Sequence, residues 1–252
     1  MKALVTFALD NEFAPWRKLR RFQRVSAFDA DRVFSAQIGS IDVQAIVTGV
    51  GRFATERALN QLHARPDICI ASGLAGALQP SYEVGEVLAA RAVTDMAKDR
   101  TIFSDPNLMR QAEESGAKAV QKFLVSGHVV SSKAEKSKLA SFGDAVDMES
   151  SYVLEAATRR RIPAVAIRAI SDDAKADLPL DFDQVFNERG AVSLSKVIGQ
   201  TVRRPARIPG LLRLAHQSQR AAAALAEFLD RFFERLSDGP LTENAKSAAL
   251  AV

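Results

Sequence analysis

Ala164-Val165-Ala166-Ile167-Arg168-Ala169-Ile170-Ser171-Asp172 is a largely apolar run that ends abruptly in a hydroxyl and a carboxyl group. Its length, its β-branched content and its polar end read as a β-strand opening into the next element. Similar runs lie at Ala3 to Ala8, Val43 to Thr48, Ile68 to Ser72, Val87 to Val93 and Phe123 to Ser126, with helical stretches between them. That alternation predicts an α/β fold, a sheet covered by helices. Residues Ala36 to Val47, broken near Gly39-Ser40, suggest an early hairpin, which would make the sheet mixed. Other strands end in Thr48-Gly49-Val50-Gly51 and Ser72-Gly73-Leu74-Ala75-Gly76. In such sheets ligands bind beyond the carboxyl ends of the strands, so chemistry is expected at these junctions.

Near the other end of the chain, Leu225, Phe228, Leu229, Phe232 and Leu236 follow helical spacing and form one apolar face. We expect one domain over residues 1–236 and a flexible tail over 237–252, where Ser237-Asp238-Gly239-Pro240 breaks the helix. The chain has 252 residues, 47% of them hydrophobic, enough for a substantial core. Its formal charge of +4 balances 34 basic against 30 acidic residues, so nucleic acid is not an expected partner. Cys69 is the only cysteine, which rules out an intrachain disulfide and fits a reducing compartment. Asp10 and Glu12 interrupt the apolar start as a secretory signal, and no run nears the roughly 20 apolar residues of a membrane span. A cytoplasmic location is the expectation.

The carboxylates carry the chemistry. Glu12 follows the first strand and can be read as a helix-start acid favoured by the dipole or as a group reaching the crevice. Asp172 stands beside Asp173, with Asp177, Asp181 and Asp183 close in sequence. Crowded carboxylates raise one another's pKa and could keep one protonated as a general acid; the alternative is a solvated turn. Gly49-Val50-Gly51-Arg52-Phe53-Ala54 matches a loose dinucleotide fingerprint but lacks the acidic residue at the end of the second strand, so no nicotinamide cofactor is expected. His63, His128 and His216 lack metal-ligand spacing, and no phosphate-binding P-loop motif occurs. Neither metal nor cofactor is predicted.

Taken in order, the motifs form a pattern. Phe7-Ala8-Leu9-Asp10-Asn11-Glu12, Thr48-Gly49-Val50-Gly51, Ser72 to Gly76, Val84-Gly85-Glu86-Val87, Ala145-Val146-Asp147-Met148-Glu149 and Ile167 to Asp172 resemble successive segments of 5'-methylthioadenosine/S-adenosylhomocysteine nucleosidases, within the nucleoside phosphorylase superfamily. The resemblance runs from Met1 to about Phe186. It implies a single-domain, three-layer α/β/α fold with a mixed sheet, and a purine nucleosidase that cleaves the N-ribosidic bond of an adenosine-type nucleoside. It assigns Glu12 to the attacking water, Met148 and Glu149 to the ribose, and Asp172 to protonation of the purine. Gly51, Gly73, Leu74, Val130 and Ser171 would line the base or nucleophile loops. From Arg189 onward, Ala191 to Val197, Arg203-Arg204-Pro205 and Leu211 to Leu214 look more like the hopanoid-associated phosphorylase-like branch, linked to removal of adenine from adenosylhopane.

Two departures bear on the substrate. Leu74 stands where the nucleosidases often carry serine, and His128-Val129-Val130-Ser131 lacks the aromatic residue that stacks on adenine there. Phosphorolysis would require a cationic clamp, for which Arg52 is the candidate anion contact, whereas Glu12 would repel phosphate. Hydrolysis is therefore favoured over a phosphorylase. A third reading is a membrane-associated nucleoside- or lipid-binding protein, motivated by Arg17, Lys18, Arg20, Arg21 and Arg24 and by Arg203, Arg204, Arg207 and Arg213 among leucines. Peripheral membrane contact belongs to that reading; a homodimer is expected from the resemblance.

Overall fold

Alternation along the strands sorts side chains onto two buried faces, and that requirement sets the layers. The computed structural model describes residues 1–25, 32–60, 65–179 and 208–238. In chain order these form β1 (Lys2–Phe7), α1 (Asp10–Arg20), β2 (Gln23–Arg24), β3 (Val33–Ile38), β4 (Ile41–Val47), α2 (Arg52–Asn60), β5 (Ile68–Ala71), β6 (Leu74–Ala77), β7 (Val87–Asp95) and β8 (Arg100–Phe103). They continue as α3 (Pro106–Glu114), β9 (Lys118–Val125), α4 (Lys133–Leu139), β10 (Ala145–Asp147), α5 (Ser150–Arg159), β11 (Ala164–Asp172) and α6 (Ile208–Asp238).

On β1, Ala3, Val5 and Phe7 face one layer, where α1, α3 and α6 bury Phe13, Trp16, Leu108, Met109, Phe228 and Phe232. Leu4 faces the opposite layer, with Leu59 of α2 and Tyr152, Val153 and Leu154 of α5. The result is the three-layer α/β/α arrangement with a mixed sheet. The predicted hairpin is present as the antiparallel pair β3–β4.

The sheet order is β2-β3-β4-β1-β5-β11-β6-β10-β9-β7-β8, with β11 also pairing β7. The pairings β11–β6, β6–β10, β10–β9, β9–β7 and β7–β11 therefore close a ring of five strands. Sequence reading missed this closure because β6 and β10 are only four and three residues long. The segment Ser72 to Gly76, read as a glycine loop, runs instead into β6. Its pairing with β11 shifts register between Ile170 and Asp172, a bulge that turns the end of β11 and re-aims its last side chains.

The apolar stripe predicted near the carboxyl end is the buried face of α6, including Leu225, Phe228, Leu229, Phe232 and Leu236. Phe233 stacks on Trp16 of α1 with ring centroids 5.5 Å apart, and Arg20 of α1 pairs with Asp230 and Glu234 of α6. The expected tail boundary at 237 needs correction. Ser237 and Asp238 continue the helix, and Ser237 Oγ accepts the Ser40 N–H of the β3–β4 turn at 2.9 Å. Residues 239–252, Asp181, Asp183, His63, Arg203, Arg204 and Arg207 lie outside the described residues, as do Ala191 to Val197.

Phe233 is fully buried on α6 against Trp16, so truncating it has a defined cost. Phe233→Ala should destabilise the protein by about 3–5 kcal/mol through lost burial and a residual cavity. Urea unfolding monitored by circular dichroism would measure this.

Candidate active site

The site begins with a helix that lacks a conventional cap. Leu9 precedes α1 and offers no side-chain acceptor. The Glu12 carboxylate folds back instead, and its Oε2 accepts the Ala8 N–H at 2.9 Å and the Leu9 N–H at 3.1 Å. Its Oε1 accepts the Leu74 N–H at 3.3 Å. Both readings of Glu12 thus describe one geometry: a helix-start acid that is also buried and held against β6. Burial raises its pKa, opposed by the Arg168 guanidinium and the three backbone N–H groups.

Asp147, at the end of β10, caps α5. Its Oδ1 accepts the Glu149 N–H at 2.9 Å and the Ser150 N–H at 3.0 Å, and its Oδ2 lies 2.9 Å from Arg168 Nε. Arg168, fully buried in β11, also donates through Nη1 to the Ser72 carbonyl at 2.7 Å and through Nη2 to Ser150 Oγ at 2.9 Å. Glu149 Oε1 accepts the Gly51 N–H at 2.8 Å, and its Oε2 stands 3.9 Å from Arg168 Nη2. Burial, reinforced by Asp147 and Glu12 and only partly offset by Arg168, pushes the Glu149 carboxyl up to about 8.

Two glycines of the β6 segment admit the acids. A Cβ at Gly73, whose φ is +144°, would stand 2.2 Å from Arg168 Nη1 and 3.1 Å from Glu12 Oε2. One at Gly76 would stand 3.1 Å from Asp172 Oδ2. At about 3.3 Å per residue of extended chain, these two positions are roughly 10 Å apart. Glu12 and Asp172 therefore approach opposite ends of one short strand.

Asp172 is buried, but carboxylate crowding is not its setting. Its Oδ2 receives Lys136 Nζ from α4, and its Oδ1 receives Ser171 Oγ at 2.7 Å. The Asp173 side chain accepts the Lys175 N–H, and that of Asp177 accepts the Lys133 N–H, so both serve the surrounding loops. The expectation of mutual carboxylate repulsion gives way to an ion pair. Lys136 was missed because helical spacing within a lysine-rich stretch suggests solvent, not a buried partner 36 residues away.

These groups border one cavity of about 260 Å³, near the lower end of the ~300–1,000 Å³ common for small-molecule sites. Glu12, Leu74, Val130, Met148, Glu149, Ser171 and Asp172 all line it. Gly51 and Gly73 act from behind, one holding Glu149 and the other making room for Arg168 and Glu12. Arg52 does not belong to the lining. Its guanidinium lies along α2, 3.0 Å from Glu56. Sequence reasoning also left out Leu178 and, from α6, Leu214 and Ser218, which close an apolar side of the cavity. Of the basic amino-terminal cluster, Arg20 is engaged with α6, and Arg17 lies over the Phe34 ring at 5.4 Å. No helix among the described residues is long and apolar enough to cross a membrane.

The Glu149 environment has a pH consequence. A carboxyl raised from the ordinary 4.5 to about 8 binds its proton more tightly in the folded than in the unfolded chain, so stability falls as pH rises through that interval. Thermal melts should show the wild type losing stability relative to Glu149→Gln between about pH 4.5 and 8, with the difference constant above.

The fold recurs in known proteins. A 5'-methylthioadenosine/S-adenosyl homocysteine nucleosidase from Campylobacter jejuni superposes with a TM-score of 0.67 at 18% identity, covering 93% of this chain and 99% of that one. The Streptococcus pneumoniae nucleosidase bound to a transition-state inhibitor gives 0.68 at 19%, over 94% and 100%. Futalosine hydrolase from Helicobacter pylori gives 0.71 at 17%, over 92% and 97%. The family model of the Phosphorylase superfamily matches residues 2–203. With that match spanning most of the sequence, the chain belongs to the phosphorylase superfamily.

Proposed function

We propose that the protein is a purine nucleosidase that hydrolyses the N-ribosidic bond of an adenosine-type nucleoside and releases adenine. The observation that carries this reading is the placement of Glu12 and Asp172 at opposite ends of β6 in one cavity, with different partners. Cleaving an N-riboside requires a better leaving group on one face of the anomeric carbon and a nucleophile on the opposite face. Asp172 would hand a proton to N7 of the departing purine. Glu12, its basicity raised by burial, would orient water and remove its proton. Glu149, which keeps its proton to higher pH, would hydrogen-bond the ribose hydroxyls, and Met148 would pack against the sugar.

Water is favoured over phosphate because the charged groups on the described lining are carboxylates, while Arg168 and Lys136 are already committed to them. Phosphate would meet repulsion there. The nucleosidase and hydrolase names of the structural relatives agree with this choice.

A 5'-methylthioadenosine- or S-adenosylhomocysteine-like substrate suits the apolar side formed by Leu9, Val50, Leu178 and Leu214. That same side would accept a larger apolar 5' substituent, including a lipid such as the hopane of adenosylhopane. Phe53, 85% exposed at the start of α2, is a side chain that a second copy would cover, and we place the enzyme as a cytoplasmic homodimer.

Purified protein should release adenine from methylthioadenosine in phosphate-free buffer at a rate that added phosphate leaves unchanged. Asp172→Asn and Glu12→Gln should each lower kcat by about 10²- to 10⁴-fold, the usual worth of a general acid or base. Chromatographic quantification of free base checks both. A strict requirement for phosphate would make the enzyme a phosphorylase.

A further inference from the structure

Lys136 is fully buried, and its α4 helix is a single short segment beside the cavity. Its Nζ donates to Asp172 Oδ2 and, at 2.8 Å, to the Asp173 carbonyl. Ser171 Oγ donates to the other Asp172 oxygen at 2.7 Å. Both carboxylate oxygens are therefore acceptors in this arrangement. Of the two donors on Asp172, the Lys136 ammonium is far more acidic than the Ser171 hydroxyl, so it is the one that can pass on a proton. Lysine can surrender a proton in a buried site, whereas arginine remains charged.

We propose that Lys136 is the positioning residue that supplies, through Asp172, the proton taken by the leaving purine, so that the acid of the reaction is the Lys136–Asp172 pair. This rests on the reading of Asp172 as the group facing the purine. As the C1'–N9 bond breaks, its electron pair moves into the purine ring. N7 takes its proton through Asp172, which accepts one from Nζ and passes it on. The products of this half are neutral base with hydrogen on N7, the ribosyl oxocarbenium ion, a carboxylate at Asp172 and a neutral amine at Lys136. Water then adds to C1', its proton passes to Glu12, and once the base has left that proton returns through solvent and Asp172, which lines the cavity, to the buried Lys136. Atoms and charge balance with no further reactant.

The arrangement also accounts for why α4 is tied to the loop after β11. Lys133 N–H donates to Asp177 at 2.7 Å, and Leu178 N–H donates to the Ser131 carbonyl at 2.8 Å. These bonds keep Nζ over Asp172 without using the lysine itself as the anchor.

Lys136→Met and Lys136→Arg separate proton supply from packing and from charge. Each variant is assayed on methylthioadenosine and on 4-nitrophenyl 5-methylthioriboside, whose nitrophenolate leaves without protonation. The expected result is a loss of about 10²-fold or more in kcat on methylthioadenosine, the worth of general-acid assistance, with a much smaller loss on the nitrophenyl compound. Parallel losses on both substrates in both variants would make Lys136 a structural clamp and overturn the proposal. So would undiminished methylthioadenosine turnover by Lys136→Arg, since arginine keeps the charge but not the transferable proton. Wild-type protein that releases no base from any purine nucleoside would instead overturn the proposed function, before any variant is compared.

Discussion

A single buried guanidinium organises the site. Arg168 joins β11 to the end of β10 through Asp147, to the start of α5 through Ser150 and to the end of β5 through the Ser72 carbonyl. Breaking a buried ion pair by removing one partner costs about 3–5 kcal/mol, because the other charge is left uncompensated. Arg168 therefore cannot be exchanged without dislodging three chain segments together. Gly73 follows from the same constraint, since a side chain there would occupy the space of the guanidinium. The buried carboxylates of Glu12 and Glu149 then sit within the field of a fixed positive charge.

That field differentiates the acids. Glu12 and Glu149 share Arg168 as a counter-charge, yet burial outweighs it at both and raises their pKa values. Asp172 lies beyond the reach of this network, on the far end of β6, and has its own cation in Lys136. One strand thus separates a region suited to holding sugar hydroxyls and water from a region suited to managing a proton. Neutral nucleosides fit this division better than anions do.

Much of this was legible from local pattern. The apolar runs located the main strands, Gly39-Ser40 marked the hairpin, and the phenylalanine stripe marked α6, because each signal is carried by neighbouring residues. Glu12, Met148, Glu149 and Asp172 were found through ordered motifs, and all four line the cavity. What escaped notice depends on tertiary pairing. Strands β6 and β10 are too short to show a period, so the five-stranded closure was invisible. Arg168 stood in a quoted motif without a role because nothing local distinguishes a buried arginine from a surface one. Lys136 sits among Lys133 and Lys138 in a stretch that reads as solvated.

In the proposed reaction, water activated on the face opposite the leaving base attacks the anomeric carbon. Turnover of methylthioadenosine in ¹⁸O-labelled water, followed by mass spectrometry of the released sugar, tests this directly. The account predicts one labelled oxygen on C1 of methylthioribose, with unlabelled adenine. A sugar phosphate without label at C1, formed when phosphate is present, would contradict it.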